Sequence, residues 1–148
     1  MLSSPLRRAR ETAEPLAHVL GLQIEVDDRL AERMNWDGET DFDAFVRGWQ
    51  QATADRDYLP RVGDSSRAAG ARSWKRSVNG AGEKRRPVIA VAHGGVTVDL
   101  LRTILGDATV EECWPTLLND GAPGCALRRL IYRNDGFVVE SVADVGHL

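Results

Sequence analysis

The sequence predicts an α/β domain, and three observations carry that prediction. Val88-Ile89-Ala90-Val91-Ala92 is a continuous apolar run bounded by Pro87 and Gly94, the pattern of a strand buried on both faces of a parallel sheet. Apolar residues at helical spacing recur on either side of it, first as Leu6, Ala9, Ala13, Leu16, Ala17 and Leu20, then as Val96, Leu100, Leu101, Ile104 and Leu105. Towards the C-terminus, Ala126 to Tyr132 and Phe137 to Val142 flank Asn134-Asp135-Gly136, a hairpin signal that adds an antiparallel piece.

Taken in order, Ser4 reads as a helix N-cap with Pro5 at the first helical position, where a missing N–H is harmless. The helix runs to Gly21, and Pro15 inside it is expected to bend or interrupt it. Ile24 to Val26 suits a short strand. Thr40 or Asp41 can cap a second helix that carries Phe42, Phe45, Val46 and Trp49 on one face. Asp55 to Ser65, with Pro60 and Gly63, reads as a loop, and Ser65 to Val78 as a helix weakened by Gly70. Asn79 to Pro87 reads as an exposed connector to the buried strand. The helix that follows ends at Gly106. No repeat or linker divides the chain, so residues 1–148 read as a single domain.

Composition narrows the function. The chain has 148 residues, 43% hydrophobic and 28% charged, which suits one globular core. A net charge of −3 argues against a nucleic-acid or membrane binder. Basic residues do gather between Arg61 and Arg86, but Trp74 alone among them offers no stacking platform, so a solvated basic face explains them. Cys113 and Cys125 lack metal-ligand spacing and read as reduced, partly buried thiols; no metal is expected. The polar, basic N-terminus has no apolar run behind it, which points to the cytoplasm.

Two places have the chemistry of an anion site. Arg7, Arg8 and Arg10 crowd the start of the first helix, where the dipole disfavours cations unless an anion is bound between them. Pairing with Glu11 and Glu14, or plain solvation, is the competing explanation. His93 follows the predicted buried strand directly and precedes Gly94, Gly95 and a helix. Ligands of open α/β sheets bind beyond such strand ends, and the glycines let backbone N–H groups approach an oxyanion. His93-Gly94-Gly95 also suits an esterase oxyanion loop, but no G-x-S-x-G elbow follows. Gly80-Ala81-Gly82-Glu83-Lys84 lacks the spacing and the Ser/Thr of a P-loop.

Ser3-Ser4-Pro5-Leu6-Arg7-Arg8-Ala9, Leu30-Ala31-Glu32-Arg33-Met34-Asn35-Trp36-Asp37-Gly38, Gly63-Asp64-Ser65-Ser66 and Val91-Ala92-His93-Gly94-Gly95 together resemble, in order, signature segments of the histidine phosphatase superfamily, the phosphoglycerate mutase-like enzymes. The resemblance implies a three-layer α/β/α sandwich with a mostly parallel sheet, of the small phosphatase-like branch. It implies phosphate binding by Arg8 with Gly94 beside it, a phosphoryl-steadying second histidine at His93, and an acid/base at Glu32. Asp64 stands where the family's turn has glutamate, and a helix cap is an adequate explanation for it. A phosphorylated small-molecule substrate is implied, with no cofactor. That family opens on a strand ending in Arg-His-Gly, whose histidine becomes phosphorylated, and no Arg-His-Gly occurs in this sequence. His18 and His147 have neither a strand before them nor a glycine after them. The expectation is therefore an N-terminally truncated or degenerate phosphatase, impaired in turnover, or else a non-catalytic phosphate-binding or interaction module. Unpaired sheet edges would then favour self-association or a partner strand.

Overall fold

In a computed structural model of the protein, residues 1–84, 87–133 and 136–148 are described, with the backbone alone from 78 to 84. Leu2–Ser3 (β1) is the middle strand of a parallel sheet, between Glu25–Val26 (β2) and Ala90–Val91 (β3). Leu2 lies opposite both Glu25 and Ala90, so the three strands end level with one another. Arg7–Leu20 (α1) makes the crossover from β1 to β2; Phe42–Ala54 (α2) and Ser66–Lys84 (α3) lie between β2 and β3. Gly94–Leu105 (α4), Asp107–Cys113 (α5) and Pro115–Asn119 (α6) follow. Leu127–Arg133 (β4) and Gly136–Asp144 (β5) form a separate antiparallel pair. The α/β architecture with a parallel sheet is present; the hairpin's expected Asn134-Asp135 corner lies outside the described residues.

The sheet pulls Ser4 out of its expected role. The Ser4 N–H donates to the Val91 carbonyl at 2.9 Å, which keeps the residue extended, and α1 begins at Arg7 with Leu6 at its cap. Pro15 does not interrupt α1, which runs unbroken from Arg7 to Leu20 with Pro15 on its exposed side. Only the small residues Ala9, Ala13 and Ala17 of α1 are buried, while Leu16 and Leu20 are exposed. Asp41, rather than Thr40, caps α2 by accepting the Ala44 N–H at 2.8 Å.

Two sequence expectations fail for reasons of packing. The connector expected over Asn79 to Pro87 is helical as far as Lys84, because an established helix gains one hydrogen bond for each residue it adds. Gly70 does not weaken α3 so much as permit its contact with α4: a Cβ there would run into the Thr103 side chain and the Asp99 backbone. The strand at Val88 to Ala92 is not buried on both faces. Val88 and Ile89 are 42% and 40% exposed, and among the described residues no strand pairs with the outer edge of β3. The apolar core sits instead where Val98 and Leu101 of α4 meet Val110, Leu117 and the inner face of the hairpin. Cys113 and Cys125 are free and exposed, not partly buried. No helix among the described residues is long and apolar enough to cross a membrane.

Candidate active site

Because β1 and β3 are neighbours ending level, the residues just beyond them meet. His93, immediately before α4, places Nε2 2.7 Å from the Ser4 Oγ. Arg8, in the first turn of α1, donates its Nε–H to His93 Nδ1 at 3.1 Å and an Nη1–H to Asn35 Oδ1 at 2.9 Å. A guanidinium has donors only, so Nδ1 must offer its lone pair and the proton of the neutral ring resides on Nε2. The ring is held neutral: burial, then the Arg8 and Arg72 guanidinium charges, lower the His93 pKa from 6.5 to about 4.

The three arginines of α1 part company. Arg7 is exposed and pairs with Glu11 at 2.6 Å, the surface ion pair that ordinary helix chemistry explains. Arg10 is exposed. Arg8 alone turns to the strand ends, and among the described residues no carboxylate pairs with it. The first turn of α1 contains no acid and no side-chain cap, so its positive end is left uncompensated beside Arg8 and His93.

Glu32 arrives at the start of α4 from the other side. It follows a 3-10 turn at Asp28–Leu30, whose Leu30 is buried. Its Oε2 accepts the Gly95 N–H at 3.0 Å, and its Oε1 accepts the Val96 N–H at 2.7 Å and the Arg33 N–H at 2.8 Å. The carboxylate thus compensates the α4 dipole. This revises the roles of the two glycines. The Gly95 N–H is occupied by Glu32, and a Cβ at Gly95 would lie 2.6 Å from both Glu32 Oε1 and the Trp49 ring. A Cβ at Gly94 would meet nothing closer than the Ala122 carbonyl at 3.6 Å, and no acceptor among the described residues takes the Gly94 N–H. A cavity of about 680 Å³ opens beside Glu32 and Gly94, lined further by Trp49, Gln50, Asn119 and Asp120.

Behind Glu32 lies a buried ionic cluster that sequence reasoning missed. Arg33, 3% exposed, donates to Asp99 Oδ1 at 3.0 Å and to Thr53 Oγ1, and its guanidinium lies 4.1 Å over the Trp49 ring. Asp99 also accepts from the Ser66 hydroxyl, while Arg56 reaches the Asp99 backbone carbonyl and Asp107. Burial raises the Asp99 pKa to about 6 against the opposing pull of Arg33 and Ser66. The signal was present: Asp99 stands three residues after Val96 inside an apolar helix pattern, where an acid requires a buried partner. Asp64 also takes a different place. Its N–H donates to the Arg33 carbonyl at 2.7 Å, and its carboxylate pairs at 2.9 Å with Arg72, which in turn donates to the Glu32 carbonyl at 3.3 Å. The cap of α3 is Ser65, whose Oγ accepts the Ala68 N–H. Asp64 and Arg72 therefore fix the backbone that presents Glu32.

This α/β chain belongs to the histidine phosphatase superfamily (branch 1), whose family model matches residues 1–145. Among its relatives, glucosyl-3-phosphoglycerate phosphatase of Mycobacterium tuberculosis is 35% identical over 135 residues, spanning 79% of this chain and 58% of that protein. The same enzyme of Mycolicibacterium vanbaalenii is 33% identical over 130 residues. The chain thus spans a little over half the length of the curated relatives it matches. Of solved structures, the mycobacterial glucosyl-3-phosphoglycerate phosphatase with inorganic phosphate superposes with a TM-score of 0.74 at 25% identity, over 100% of this chain and 78% of the other. A mycobacterial hydrolase superposes with a TM-score of 0.75 at 26% identity, over 97% of this chain and 74% of the other.

Proposed function

We propose that the site formed by Arg8, His93 and Gly94 binds the phosphoryl group of a phosphorylated small molecule, and that Glu32 serves its leaving group, in the manner of a metal-independent phosphomonoester hydrolase. The observation that carries this reading is the Arg8–His93 contact at 3.1 Å, where two groups from residues 85 apart converge at the ends of adjacent strands. A guanidinium with no carboxylate partner among the described residues, next to an uncapped helix start, is an arrangement that an oxyanion completes. Glu32 Oε2 carries one hydrogen bond against two on Oε1, so Oε2 is the oxygen with room to hold and deliver a proton.

In the complete reaction a histidine nitrogen attacks phosphorus as the bond to the leaving oxygen breaks. The Glu32 proton passes to that oxygen, and water then discharges the phosphohistidine. His93 is committed to Ser4 and Arg8. His18 lies exposed in the last turn of α1 and His147 is exposed near the C-terminus, so neither is offered to a phosphate at Arg8. We therefore read these 148 residues as a phosphate-binding unit that does not itself supply the nucleophile. Titration with orthovanadate and an assay with p-nitrophenyl phosphate test both parts. Binding without turnover is the expected result. Turnover at the rate of a complete phosphatase would refute the missing-nucleophile reading, and failure to bind vanadate would refute the phosphate site itself.

A further inference from the structure

Asn35 is exposed, yet the chain on either side of it is fixed. Before it, Arg33 and Met34 are buried. After it, the Asp37 carboxylate closes a turn, accepting the Glu39 and Thr40 N–H groups at 3.0 and 2.8 Å and the Thr40 hydroxyl at 2.8 Å. The Trp36 indole N–H donates across the same turn to the Thr40 carbonyl at 2.7 Å. Between these anchors the Asn35 carboxamide meets Arg8, 27 residues earlier in the chain, with its Oδ1 2.9 Å from Nη1. We propose that Asn35 is a further phosphate-binding residue, whose Oδ1 holds the Arg8 guanidinium while its Nδ2 donates to the same oxyanion. The assignment rests on the phosphate reading of Arg8 and His93.

Donors and acceptors fix how the amide is turned. A guanidinium donates and never accepts, so the carboxamide atom that meets Arg8 must be the oxygen, and Nδ2 lies beside it in the same planar group. One Nδ2 hydrogen reaches the Trp36 carbonyl at 3.4 Å, a long bond, and the other has no acceptor among the described residues. Arg8 spends an Nε–H on His93 Nδ1 and an Nη1–H on Asn35 Oδ1, which leaves one N–H on Nη1 and both on Nη2. Free donors therefore remain on both partners of the Arg8–Asn35 hydrogen bond. Both residues are exposed, so the oxygens of a phosphate or vanadate can reach them from solvent.

The neutrality of the amide matters as much as its shape. A carboxylate at this position would reach Arg8 equally well, but it would match the guanidinium charge and present only lone pairs to an anion. The acids nearby are occupied elsewhere: Asp37 within its own turn, and Glu32 on the Gly95 and Val96 amides. Asn35 thus orients Arg8 without neutralising it, and adds a donor of its own to the clamp.

Titrations of the full chain with orthovanadate test this. Asn35→Ala should bind roughly tenfold more weakly than wild type, the worth of one hydrogen bond to a charged group. Made in an Arg8→Ala background, the same substitution should again cost severalfold, because Nδ2 meets the anion directly; a residue that acts only through Arg8 would cost nothing there. Asn35→Asp, which keeps the acceptor but loses the donor and adds a negative charge, should bind more weakly than Asn35→Ala. In nitrogen–proton spectra of the wild type, the Asn35 side-chain amide pair should shift as vanadate saturates the protein. An Asn35→Ala change without effect in the Arg8→Ala background, or an Asn35 amide signal that stays put while the wild type binds, overturns the proposal and leaves the phosphate reading intact. Should Asn35→Ala lose its folded spectrum, the wild-type amide signal decides. Should the wild type bind no vanadate at all, the phosphate reading falls and the assignment of Asn35 falls with it.

Discussion

Arg8 and Arg33 are two arginines within one small domain, and their surroundings are opposites. Arg33 is 3% exposed and lies among Asp99, Thr53 and the face of Trp49, its charge matched by a carboxylate at 3.0 Å. Arg8 is exposed, and its partners are a neutral imidazole and a carboxamide. A buried guanidinium must be compensated within the fold or the fold does not form. A guanidinium left uncompensated at the mouth of two strands has its charge available for something that arrives from solvent. The contrast separates an arginine that holds the molecule together from one that equips it.

The largest expected effect is on the buried side. Arg33→Met leaves Asp99 buried beside Ser66 without its counter-charge, and breaking such a pair costs about 3–5 kcal/mol. Urea denaturation should show that loss as a lower midpoint with an unchanged slope. Arg33→Met keeps the backbone N–H that Glu32 accepts but removes the side-chain anchor that holds this backbone against α4, so the Gly95 and Val96 amides should lose protection from hydrogen exchange at the same time. A variant of wild-type stability would mean that the cluster is not the structural keystone its burial indicates.

Arg8→Ala should do the reverse. An exposed side chain without an ion pair contributes within about 0.5 kcal/mol to stability, so the denaturation curve should not move. Affinity for phosphate or vanadate should fall by roughly tenfold to a hundredfold, the range for a hydrogen bond to a charged group worth about 1.5–3 kcal/mol. Calorimetric titration checks this. Equal losses of stability and affinity would erase the distinction between the two arginines.

The sequence was most legible where chemistry sits at the boundary of an element. Arg8 at a helix start, His93 at a strand end and Glu32 within a patterned loop were all named as candidates, and they are drawn together because β1 and β3 pair in parallel and end level. It was least legible where the answer depends on which element packs against which. An apolar run such as Val88 to Ala92 reads alike at the centre and at the edge of a sheet, and only the pairing of β3 with β1 alone shows why Val88 and Ile89 are exposed. Gly70 read as a weak point of a helix because its partner, the Asp99 backbone of α4, lies 29 residues further along the chain. Ser4 had the right residue type for a cap and the wrong neighbours. A ladder bond to Val91 outranks a preference for the helix start.

The smallest expected effect is a difference in slope with pH, and it sets the two regions against each other once more. His93 has a folded pKa of about 4 against 6.5 when unfolded, so the stability linked to it is present above pH 6.5 and is lost as pH falls through 4. Asp99 is shifted the other way, to about 6 against 3.8 when unfolded. Its linked stability is present below pH 3.8 and is lost as pH rises through 6. Between about pH 4 and 6 the two contributions oppose and partly cancel in the wild type. Variants should pull them apart. Measured as wild type minus variant, the unfolding free energy should shrink on acidification for His93→Asn and grow for Asp99→Asn. Denaturation curves taken across that window would show it, and a flat difference for His93→Asn would mean that the imidazole is not held neutral by burial and the guanidinium beside it.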